Sequence, residues 1–191
     1  MKTGGLSKII WRYAALEREV QNLISACCSY ACSICTSRCC RTDLCEEAFS
    51  SPFLKALHGY EPDSTQFSDQ YGWLTENGCS LSLGRPPVCY EFFCDDVLNG
   101  QRNEGHRYVL RVLGRLLNHV GEQALEKLHL IEISGEEDLN RIPLDRFKEK
   151  LNEAKSALEH IRFFYDHGFF DADGMKQLGY IVEPPAQLLN S

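Results

Sequence analysis

Residues 106–120 read HRYVLRVLGRLLNHV, and this stretch decides the fold class. Val109, Val112, Leu113, Leu116, Leu117 and Val120 recur at helical spacing on one face, and Arg107, Arg111 and Arg115 fall on another, the two-sided pattern of an amphipathic helix. Working outward, PLDRFKEKLNEAKSALEHIRFFYDHG (143–168) has the same period and predicts a second long helix, with Pro143 in its first turn and Gly168 at its end. Between the two, EQALEKL is expected to continue helically after Gly121, and LHLIEI to form a short strand or extended link. Towards the N-terminus, Ile9, Tyr13, Leu16, Val20 and Leu23 make an amphipathic stripe, so residues 7–26 are expected to be helical, with Ser7 near the cap.

The segment between these helices has a different character. Residues 27–40 read CCSYACSICTSRCC, six cysteines in fourteen positions, a Cys/Ser composition that favours turns over helix. A short helix is expected over EEAFSSPFLKALHGY, loops and short extended pieces over 61–89, where EPDS, ENG and GRPP break any longer element, and a half-turn or helix over YEFFCDDVLNG. Residues 169–191 read as a loosely held tail, and FFDADGM within them as a turn. The expected class is therefore mainly α in one domain: an N-terminal helix (1–26), an irregular cysteine-rich, metal-centred region (27–100), a helical region (103–168) and the tail, with the N-terminal half packed against the helical C-terminal half.

At 191 residues and 43% hydrophobic content the chain can build a core without covalent staples. Arg12, Glu17, Arg18 and Glu19 interrupt any secretory signal, and no window approaches the roughly 18 apolar residues of a membrane span. A cytoplasmic location follows as the expectation, and there thiols stay reduced and a cysteine cluster points to metal or catalysis rather than disulfides. The net charge of −7 is uneven: residues 1–45 carry six Lys/Arg against three Asp/Glu, the remainder fourteen against twenty-four. An acidic chain without a basic stripe is not expected to bind nucleic acid.

Seven of the ten cysteines (27, 28, 32, 35, 39, 40, 45) lie in one segment and three (79, 89, 94) in another, with none after position 94. Plain packing would not exclude cysteine from the two long C-terminal helices. It has one argument in its favour, because Cys28, Cys32, Cys35 and Cys39 are spaced four, three and four, as on a helix face. Thiolates, however, are the soft ligands that zinc and iron accept in tetrahedral sites, and the C-x-x-C step of Cys32 and Cys35 presents two sulfurs from one turn. The adjacent Cys39 and Cys40 fit two metals, a bridged cluster, or one ligand beside a spare thiol.

CSICTSRCC resembles the C-x-x-C-x-x-C-C signature of a cysteine-cluster family described as zinc- or iron-chelating. NGCSLSLGRPPVCYEFFC resembles that family's second block, with its R-P step and C-x-x-x-x-C ending. Three residues rather than two separate Cys35 from Cys39 here. The resemblance covers about the first hundred residues and implies Cys32, Cys35, Cys39 and Cys40 as ligands in the first block, and Cys79, Cys89 and Cys94 in the second. Seven thiolates carry about seven negative charges and two divalent ions offset about four. Arg38, Arg41 and Arg85 are placed either to offset the rest, directly or through Asp43, or simply as solvated surface residues. Cys45 is the natural eighth ligand of two four-cysteine sites, which leaves Cys27 and Cys28 spare or packed at the helix end.

The implied cofactor is zinc or iron, the latter as an iron–sulfur cluster if redox work is done. The expected partners are the metal ion and a protein, with no membrane and no nucleic acid. Three functions stay open: a metal-binding protein, an iron–sulfur redox protein or enzyme component, and an interaction module with structural zinc. The six histidines are scattered, and only His58 lies close enough in sequence to supplement the cluster. Asp95 and Asp96 read as capping residues. No phosphate loop, nucleophile elbow or triad spacing is present. If the two blocks meet at a metal, a chelator is expected to loosen residues 27–100 and spare the C-terminal helices.

Overall fold

The computed structural model describes residues 4–33, 42–59, 67, 68, 70, 72–75 and 78–189, without the side chains of 29–33, 42, 74 and 78. It is mainly helical. The order is α1 (Gly4–Ser33), a 3-10 turn (Thr42–Leu44), α2 (Cys45–Ser50), α3 (Pro52–His58), the two-residue strands β1 (Leu74–Thr75) and β2 (Gly78–Cys79), α4 (Val88–Glu91), α5 (Asp95–Asn99), α6 (Glu104–Gly121), a second 3-10 turn (Leu130–Glu132), α7 (Glu136–Leu139), α8 (Leu144–His167), α9 (Ala172–Gly179) and α10 (Ala186–Leu189). β1 and β2 pair antiparallel, with Leu74 opposite Cys79.

The centre of the molecule is α6, which packs against α1, α4, α8 and α10. Asn103 caps it, its Oδ1 accepting from His106 N at 3.1 Å. All six apolar positions read from the sequence are buried, as is Tyr108. The arginines of the other face pair with acids: Arg107 and Arg111 with Glu104, and Arg115 with Glu91 and Glu122. One core runs from Ile9, Tyr13, Leu16 and Val20 of α1 through Phe53, Leu54 and Leu57 of α3 to Leu151, Leu158 and Ile161 of α8 and Leu178 of α9. The N-terminal elements therefore share their interior with the C-terminal helices.

Several local expectations are corrected. α1 does not stop near residue 26 but runs to Ser33, because Ile24, Cys27 and Cys28 continue its apolar side onto Val97 and Leu110, and such burial outweighs the weak helix propensity of Cys and Ser. The helix expected over 46–60 is two helices, broken at Ser51, whose Oγ accepts from Leu54 N to start α3. After Gly121 no helix resumes. Gln123 and Glu126 take positive φ, and Leu125 bridges Leu128. LHLIEI is extended only at its flanks, His129 and Ile133; between them His129 and Glu132 form a capping box that starts the second 3-10 turn. His129 Nε2 lies 3.0 Å from Asn118 O at the end of α6, so the imidazole fills the place a continuing helix would need.

The C-terminal residues are not loosely held either. FFDADGM begins a helix: Asp171 Oδ1 accepts from Gly174 N at 2.7 Å and caps α9. Phe170 stacks on Phe164 with ring centroids 4.3 Å apart, and Tyr108 Oη donates to Val182 O at 2.8 Å. α8 ends as expected, at Gly168 in the left-handed conformation.

Candidate metal centre

The residues that position the second cysteine block lie on α1. Glu17, Gln21 and Cys28 stand four and seven residues apart, so they follow one another along one helix face. Glu17 is fully buried. Its Oε2 accepts from Gly84 N at 2.9 Å, and its Oε1 accepts from Arg85 N at 3.0 Å and from Tyr90 Oη at 2.7 Å. One helical turn on, Gln21 Nε2 donates to Ser82 O and to Tyr90 Oη. Arg85 turns back on its own loop, donating from Nε to Leu81 O and from Nη2 to Cys79 O. It thus sets a positive charge beside the second block, although these contacts are to carbonyls rather than to sulfur.

α6 holds the same loop from the other side. Glu91 of α4 receives Arg115 Nη1 on both carboxylate oxygens at 2.9 Å and Asn118 Nδ2 at 2.7 Å. Gly114 allows the two backbones to meet, since a Cβ there would lie 2.5 Å from Tyr90 O. Gly84, at φ +74, is the other required glycine: a Cβ would lie 2.6 Å from the His58 ring, whose Nε2 lies 3.2 Å from Gly84 O.

These restraints bring Cys89 and Cys94 to Cys28. The three line one cleft of about 170 Å³ together with Arg85, Tyr90, Phe92 and Phe93. Cys28 is buried, Cys94 half-buried at the start of α5, and Cys89 exposed. At the far end of the first block, Cys45 Sγ packs so closely on Gly72 that a Cβ there would lie 2.7 Å from it. The hairpin carrying Cys79 begins two residues later, and Ser80 N donates to Trp73 O. Phe49, Phe67, Trp73 and His58 form the aromatic wall beside it. His58 is thus occupied with Gly84 and Trp73.

Cys32 lies in α1 one turn beyond Cys28, with its side chain outside the described residues; Cys35, Cys39, Cys40, Arg38 and Arg41 lie outside them altogether. Cys27 faces away from the cleft, its Sγ 2.8 Å from Tyr165 Oη, and burial pushes its thiol above the ordinary 9.0, against that hydroxyl, which lowers it. Asp95 and Asp96 sit in the first turn of α5 and do not cap it: the N-cap position is Cys94, with no side-chain cap hydrogen bond. Among the described residues no three His, Cys, Asp or Glu side chains form a group able to hold a metal. Glu17, Gln21 and Tyr90 were not singled out by the sequence. The one available signal is that Glu17 sits between Leu16 and Val20 on the buried side of α1.

Burial pushes the Glu17 carboxyl above its ordinary 4.5, opposed by the Gly84, Tyr90 and Arg85 hydrogen bonds and the Arg85 charge. A carboxyl raised on folding contributes stability that is complete below its unfolded value and is lost as pH rises through its folded value. The stability difference between wild type and Glu17→Gln, from denaturant titrations of metal-free protein, is expected to shrink between pH 4 and 7. A difference that grows with pH would contradict this linkage.

No family model, curated protein or solved structure matches the chain. No helix among the described residues is long and apolar enough to cross a membrane.

Proposed function

We propose that the chain is a metal-binding cysteine-cluster protein that holds zinc or an iron–sulfur centre between its two cysteine blocks, with Cys32, Cys35, Cys39, Cys40 and Cys45 on one side and Cys79, Cys89 and Cys94 on the other. One observation supports the reading: Cys28, which immediately precedes the first block, lines the same cleft as two cysteines of the second. Cys28 shares a cleft with Cys89 and Cys94, and Cys45 packs on Gly72 beside the hairpin of Cys79. The resemblance of the two blocks to the zinc- or iron-chelating family supports the same assignment. A bound ion would cross-link the blocks and neutralise their thiolates. The protein's residues supply the loop geometry through Glu17 and Gln21 and a countercharge through Arg85.

Protein purified anaerobically without added metal is expected to contain zinc or iron by elemental analysis. The content should fall sharply in Cys32→Ser, Cys35→Ser and Cys94→Ser, because serine keeps the size but not the soft ligand. Brown colour with visible absorbance would identify iron–sulfur and the redox reading, and colourless zinc-loaded protein the structural one. Metal-free wild type, or content unchanged in all three variants, would refute the proposal.

A further inference from the structure

We propose that a second cleft, where α1, the link between α5 and α6, and the end of α8 meet, binds a small organic anion, an apolar body carrying a carboxylate or phosphate, beside Arg102 and His106. The site is separate from the cysteine cleft and independent of the metal reading. It has a volume of about 770 Å³ and is lined by Leu23, Ala26 and Cys27 of α1, Arg102 and His106, and Arg162, Tyr165 and Asp166 of α8. That size is within the range of small-molecule pockets, which combine apolar walls with a few converging polar groups. Here Leu23, Ala26 and the Tyr165 ring are the apolar wall.

Three of the polar groups are held towards their neutral forms. Burial pushes the Cys27 thiol and the Tyr165 hydroxyl up, and burial together with the nearby Arg102 charge pushes the His106 imidazole down. Cys27 Sγ lies 2.8 Å from Tyr165 Oη. The neutral pair carries two hydrogens and uses one between its own atoms, so whichever atom donates, one hydrogen is left for an outside acceptor. Asn103 Oδ1 accepts from His106 N and lies 2.8 Å from His106 Nδ1. An amide oxygen only accepts, so Nδ1 carries the ring hydrogen and Nε2 the lone pair. Arg102 supplies the charge. It is exposed and forms no ion pair among the described residues, whereas Arg107 and Arg111 pair with Glu104, and Arg162 with Glu19. An unpaired guanidinium beside a spare hydroxyl or thiol hydrogen matches the acceptor oxygens of a carboxylate or phosphate. A cation would meet two guanidiniums there and one carboxylate, Asp166.

The test titrates the protein as isolated with benzoate, phenyl phosphate and, as the neutral control, benzyl alcohol. The His106 ring resonances are followed by NMR and the alkylation of Cys27 by mass spectrometry. At millimolar concentrations at least one anion is expected to shift His106 and slow Cys27 alkylation, and the tighter of the two identifies the head group. Arg102→Gln, at an exposed side chain, should weaken binding about tenfold or more. Arg141→Gln, whose arginine pairs with Asp138 outside the cleft, should leave it unchanged. A bound anion offsets Arg102 at His106, so benzoate should raise the imidazole's titration midpoint and bind more tightly as pH falls through it. The other titratable and charged groups sharing the cleft with His106 are Cys27 from α1, Arg102 from the link, and Arg162, Tyr165 and Asp166 from α8. Asp166→Asn should therefore keep the pH dependence and His106→Gln abolish it. No shift of His106 with either anion, benzyl alcohol binding as tightly as benzoate, wild-type affinity in Arg102→Gln, or a pH dependence that survives His106→Gln would each overturn the proposal.

Discussion

Leu113→Ala is expected to destabilise the protein by about 2–5 kcal/mol, the largest loss from any single truncation considered. Leu113 is fully buried and belongs to the core cluster that joins α1, α3, α6, α8 and α9, so the cavity opens where several rigid elements meet and none can collapse into it cheaply. A chemical denaturation midpoint that falls with an unchanged slope is the expected readout. A loss under about 1 kcal/mol would mean that the surrounding helices relax into the space, contrary to a close-packed interior.

The neighbouring position fails in the opposite way. Gly114→Ala adds a methyl group 2.5 Å from Tyr90 O, 2.9 Å from the Phe93 ring and 3.2 Å from Glu91 Cα. Two of these are backbone atoms, which cannot swing aside, so α4 must move off α6. Overpacking of this kind costs about 1–3 kcal/mol, and here the displacement is directed at Cys89. The expected signature is a modest fall in stability with a change in the alkylation rate of Cys89, whereas Leu113→Ala lowers stability without singling out that thiol. Equal Cys89 reactivity in Gly114→Ala and wild type would show that α4 is not seated by this contact.

α6 and α8 were legible because long amphipathic patterns survive any reasonable packing, and their buried faces are those the spacing indicates. α1 was legible to residue 26 and its last turns were missed, since the Cys/Ser composition read as turn-forming, although Cys28 is packed at the helix end as one of the two readings had it. The packing alternative, a stripe of Cys28, Cys32, Cys35 and Cys39, thus applies at Cys28. The break after Gly121 depends on an imidazole eight residues downstream, which no local signal encodes. The start of α9 was written in plain capping chemistry, Asp171 to Gly174, and was passed over because the same letters read as a turn.

For the site, the cysteines of the second block announced themselves, but the group holding them did not. A glutamate in LEREV looks like a solvated charge, and only tertiary structure turns it inward. Its donors, two loop amides and a tyrosine hydroxyl, leave no mark in sequence.

Trp73 gives the molecule its own optical gauge. Of the two tryptophans, Trp11 is 55% exposed, whereas Trp73 lies in the aromatic wall next to Gly72, with its indole Nε1 buried and without a hydrogen-bond partner among the described residues. The emission of Trp11 therefore reports bulk water, and the blue component belongs to the place where Cys45 meets the hairpin. If the proposed centre binds iron beside that hairpin, loading it is expected to dim the blue component and leave the Trp11 emission as an internal standard.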